Sequence, residues 1–96
     1  MKCYTHKKDE MNVLLIDEVK IENGFISGEA IDLLAKFESF YDDIEKAQND
    51  ISLQLDELRS EGKEKTVQFR ELFTKKLANN NVMAFLRFHN LTDKKI

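Results

Sequence analysis

The chain has 96 residues, of which 42% are hydrophobic and 34% charged, and its formal net charge is −3. One domain with a small core is the expectation, because short chains bury a smaller share of their surface than long ones. The mild negative balance supplies no basic field for nucleic acid or an anionic membrane, and the lone Cys3 excludes an intrachain disulfide framework.

Residues 1–11 are polar and aperiodic and read as a flexible arm, with Met11 an alternative start. Lys2, Lys7 and Lys8 are followed by acids and not by an apolar stretch, so no secretory signal is read and a cytoplasmic location is expected. The longest apolar run in this region, Val13 to Ile16, is far short of the roughly 18 residues a membrane span needs.

From Val13 the pattern turns strand-like, and Val19, Lys20, Ile21 and Glu22 alternate in polarity before Asn23-Gly24. Asn-Gly predicts a two-residue hairpin turn, because both central positions need positive φ. That loop sets Glu22 opposite Phe25 and Ile21 opposite Ile26. Two strands alone are marginal in water, so the hairpin is expected to rest on a helix or to extend a sheet with another copy.

Ser27 is the expected cap of a long helix, with Glu29 and Asp32 complementing its dipole. Apolar residues recur at helical spacing from Ile31 to Leu58, with no proline or glycine between them. Such a helix would run roughly 45 Å, against a radius of gyration of about 12–13 Å for a compact domain of this size. Phe37, Ile44, Ile51 and Leu58 form one line, Leu33, Phe40, Ala47 and Gln54 a second, and Leu34, Tyr41, Gln48 and Leu55 a third. A stripe three positions wide suits a helical bundle better than a strict two-stranded coiled coil.

Gly62 marks the expected break and reversal. A second, antiparallel helix is predicted from about Lys65 to Ala78, with Phe69, Leu72, Phe73 and Leu77 on one face. Asn79-Asn80-Asn81 reads as a turn, followed by a short third helix over 82–91 and a frayed tail at 92–96. In that last helix Met83, Phe85 and Phe88 read as core rather than as a docking surface. The fold class is therefore mainly α with a minor β part, in a single domain over 1–96.

Charge is segregated. From Glu29 to Glu57 nine acids face two lysines, while from Arg59 to Lys76 six bases face three acids. This asymmetry favours the first helix lying against the second. A second helix half as long as the first covers only Ile44 to Leu58. The aromatic-rich stretch through Leu33, Leu34, Phe37, Phe40, Tyr41 and Ile44 is left over, and these residues are the expected self-association surface.

No catalytic pattern emerges, and no enzyme, cofactor or metal is expected. Cys3 and His6 have a spacing that suits two zinc ligands, but His89 is the only other histidine and structural zinc takes four ligands. Asp42, Asp43, Glu38 and Glu45 read as a solvated face. The function expected is a small intracellular interaction or adaptor protein acting as a homodimer. Its Lys-, Asn- and Ile-rich usage fits a bacterial, phage or mobile-element origin. The alternative is a nucleic-acid-associated regulator using the bases of the second helix, although these are scattered around its circumference.

Overall fold

The computed structural model describes residues 1–92. In chain order the elements are β1 (His6–Lys8), β2 (Met11–Val13), a 3-10 turn (Ile16–Glu18), β3 (Lys20–Glu22), β4 (Phe25–Ser27), α1 (Glu29–Ser60) and α2 (Val67–Phe88). The fold is mainly helical with two small antiparallel hairpins. Contacts divide the chain into two compact units, Met1–Tyr41 and Asp42–Ile96, with α1 running through the boundary.

In the first unit, the segment expected to be an unstructured arm contributes a hairpin. His6 pairs with Val13, Lys7 with Asn12 and Lys8 with Met11. Asp9 turns the chain at φ 57°, a left-handed conformation that aspartate tolerates because its short side chain can bond locally. The second hairpin has the expected register, with Glu22 opposite Phe25 and Ile21 opposite Ile26. Asn23 and Gly24 sit at φ 48° and 80°, the pair of positive values that its turn demands.

Ser27 is the last residue of β4 and pairs with Lys20, so it is not the helix cap that the sequence suggested. Gly28 occupies that place. Its carbonyl accepts from Asp32 N at 3.0 Å, and its φ of 152° suits a residue without a side chain. A Cβ there would lie 2.7 Å from the Glu18 carbonyl oxygen, so the junction of β4 and α1 is packed against the backbone of the 3-10 turn. Gly28→Ala is expected to cost on the order of 1–3 kcal/mol, read as an earlier thermal transition by circular dichroism.

The second unit contains the core. Ile44, Ile51, Leu55 and Leu58 of α1 and Met83 and Leu86 of α2 are its buried side chains, and Leu55 is completely enclosed. The seam on α1 therefore follows the first and third predicted lines, while Gln54 on the second line is exposed. Burying Leu55 in preference to Gln54 avoids desolvating an amide. Gln48 Nε2 donates to Lys76 O at 3.3 Å and to Asn80 Oδ1 at 2.6 Å, and the Arg59 guanidinium lies 5.3 Å from the Phe69 ring centre. Pairing 48 with 76–80 and 59 with 69 makes the two helices antiparallel, as expected.

The reversal at Gly62 is also as expected. Gly62 N donates to Arg59 O at 3.0 Å and Lys63 N to Leu58 O at 2.8 Å, with Gly62 at φ 72°. This is the Schellman arrangement, which satisfies the last carbonyls of α1. Thr66, absent from the sequence expectations, caps α2 by accepting from Phe69 N at 3.2 Å.

The expected third helix is the second half of α2. Asn79, Asn80 and Asn81 lie inside α2, which runs unbroken to Phe88. Three asparagines disfavour a helix by several tenths of a kcal/mol each. The Gln48–Asn80 bond and the burial of Met83 and Leu86 beyond it offset that penalty. At 22 residues, α2 is also well over half the length of α1. Residues 93–96, part of the expected frayed tail, lie outside the described residues.

Candidate interaction surface

The six residues expected to mediate self-association separate into three groups. Ile44 is buried in the helix-pair core of the second unit. Phe37 and Tyr41 are half-buried. Leu33, Leu34 and Phe40 are exposed, Phe40 by 45%. One line of side chains on α1 thus passes from enclosed at Leu58, Leu55, Ile51 and Ile44 to open at Phe40, Leu33 and Leu34.

The first unit as a whole shares that openness. None of residues 1–41, all described, is fully buried. Ile21, Phe25 and Ile26 of the second hairpin are exposed, as are Leu15 and Ile16 ahead of it. Polar contacts do part of the fastening. His6 Nε2 lies 2.9 Å from Glu18 Oε1, tying β1 to the 3-10 turn. Lys2 Nζ donates to Glu29 Oε2 at 3.1 Å, and the Tyr4 hydroxyl donates to the same oxygen at 3.2 Å.

The Lys2 ammonium bonded to Glu29, together with its charge, holds that carboxyl below its usual range. A depressed carboxyl stabilises above its ordinary pKa, and the contribution fades as pH falls through the lowered value. All three groups are at the surface, so water screens the effect and the fastening is weak.

On α2 the expected apolar face is divided between two sides. Phe69 and Leu72 are half-buried against α1, whereas Phe73 and Leu77 are exposed. Met83 is core as expected. Phe85 and Phe88, also expected in the core, are 69% and 76% exposed. Sequence reasoning missed this because one helix was taken for two: with an unbroken α2, the 3.6-residue period carries Phe85 and Phe88 to the side away from Met83 and Leu86. The same unbroken period, run from Thr66, is the signal that would have found it.

Among the described residues, no three His, Cys, Asp or Glu side chains gather as a metal site would require. Cys3 is exposed, and His6 is engaged with Glu18. No described helix is long and apolar enough to cross a membrane. Among the described residues, ion pairs join Lys2 to Glu29, His6 to Glu18, Lys20 to Glu22, Arg59 to Asp56 and Lys63 to Glu61, and the Gln48 amide bonds α1 to α2.

Comparison with protein-family models, curated proteins and solved structures found no match. The functional reading therefore rests on the chain's own surfaces. Those surfaces expose apolar side chains on the 29–41 stretch of α1, on the second hairpin with Leu15 and Ile16 ahead of it, and on the outer side of α2.

Proposed function

We propose that this protein is a small interaction module that works as a homodimer, using the open stretch of α1 around Leu33, Leu34 and Phe40. One observation carries the reading: a 41-residue unit without a single fully buried side chain presents those three residues to solvent. Units near 40 residues need disulfides, metal or association to be stable, because their surface is too large for their core. Exposed apolar side chains grouped on one helix face are the usual mark of an association site.

The charge pattern supports a protein partner over a nucleic acid. At about 100° per residue Lys76 and Arg87 share one side of α2 while Arg70 and Lys75 project to two others, a scatter that does not follow a phosphate backbone. Around the α1 stretch the charges are mostly acidic, through Glu29, Asp32, Glu38 and Asp42.

Co-expression of two differently tagged copies tests the reading. Recovery of the second tag on the first resin is expected, and recovery of one tag alone at high expression would count against it.

A further inference from the structure

The outer side of α2 carries a regularity that the helix-pair core does not use. Arg70, Thr74, Leu77, Asn81, Ala84 and Phe88 follow one another at alternating spacings of four and three residues, and all six are exposed. Alternation of that kind generates a straight seam along one side of a helix, the pattern by which two helices pack knobs into holes. The seam lies roughly opposite Met83 and Leu86, so it is free of the α1 contact. Two shallow hollows lie along it, one among Val67, Arg70, Glu71, Thr74 and Lys75 and the other among Asn81, Ala84, Phe85 and Phe88.

We infer that this seam takes the same seam of a second copy, with the two α2 helices antiparallel. Antiparallel pairing about a two-fold axis near residue 79 sets Arg70 against Phe88, Thr74 against Ala84 and Leu77 against Asn81. Each pair occurs twice, because such an interface is isologous. The Arg70 end of one copy then meets the aromatic hollow of the other, and a guanidinium over a phenyl face is an attractive pairing. Parallel pairing would put Arg70 on Arg70 and lose that match, so charge selects the direction.

Phe85 and Phe88, with Leu77 and the small residues between, would remove on the order of 500–600 Å² from each copy. That is near the lower limit for a specific interface and predicts a weak, concentration-dependent contact. The contact is distinct from the α1 stretch proposed above and does not rest on it.

Cross-linking reads the pairing directly. In a Cys3→Ser background, Thr74→Cys and Ala84→Cys proteins are oxidised separately and as a mixture. The mixed 74–84 disulfide is expected to exceed both self-disulfides by at least about fivefold, since only that pair comes within bonding reach. Predominance of 74–74 or 84–84 links, or no links at all, would overturn the proposal.

Phe88→Glu without new cysteines is the second measurement. Because Phe88 is exposed, helix content should stay unchanged while self-affinity through α2 falls at least about tenfold. Self-association abolished by Phe40→Asp yet indifferent to Phe88→Glu would overturn the α2 seam and leave the α1 reading standing. A monomer throughout would overturn both.

Discussion

Leu55→Ala is expected to destabilise the helix pair by about 3 kcal/mol, the largest single effect in the chain. Among the described residues Leu55 is the one completely enclosed large side chain, and five further buried residues make up the rest of the core. Its truncation removes transfer free energy and leaves a cavity that two helices joined by a short turn can only partly close. Native stability of roughly 0.05–0.15 kcal/mol per residue leaves a helix pair of this size little reserve, so much of the protein should be unfolded. Far-UV circular dichroism during urea titration reads the loss. Leu53→Ala is the matched control. Leu53 is 68% exposed on the same helix, and its truncation should shift the transition by less than about 0.5 kcal/mol. Equal shifts for the two variants would mean that burial is wrongly assigned on α1.

Phe40→Asp should have the opposite signature, leaving helix content intact while weakening self-association by tenfold or more. Phe40 is 45% exposed in its own protomer and lies outside the buried core, so the substitution spares the helix pair. Phenylalanine and aspartate have nearly equal helix propensity, which removes local unfolding as an explanation. A carboxylate placed in an apolar interface is costly unless paired, and the acids around this stretch would repel it further. Lys46→Gln changes the charge by the same amount at an exposed position outside both seams and should leave assembly unchanged. The pair of variants therefore separates a specific apolar contact from a general effect of charge.

Local chemistry made part of this fold readable from its residues. Asn23-Gly24 declares its turn because few other dipeptides reach two positive φ values cheaply, and Gly62 declares the reversal for the same reason. The long helix is legible through its unbroken apolar spacing. Where the expectation failed, tertiary contact outweighed local preference. Asn79 to Asn81 resemble a turn only when viewed without Gln48, which bonds Asn80 from the facing helix, and without Met83 and Leu86, which draw α2 onward. The hairpin at 6–13 has no glycine in its turn, and its strands are too short to establish a period.

The surface was less legible than the fold for a related reason. Which line of α1 faces inward is decided by comparing Gln54 with Leu55, a difference of one position. Splitting α2 at the asparagines erased the seam from Arg70 to Phe88, since a period is visible only over an unbroken element. Ile44 illustrates the limit from the other side: it continues the same apolar line as Phe37, and only the reach of α2 makes it core.

Sedimentation equilibrium of the unmodified protein over a wide concentration range tests the central claim most directly. Self-association predicts a mass that rises from that of one 11.3 kDa chain to at least twice that value as concentration increases. A single-chain mass at every concentration, with helix content intact, would contradict it.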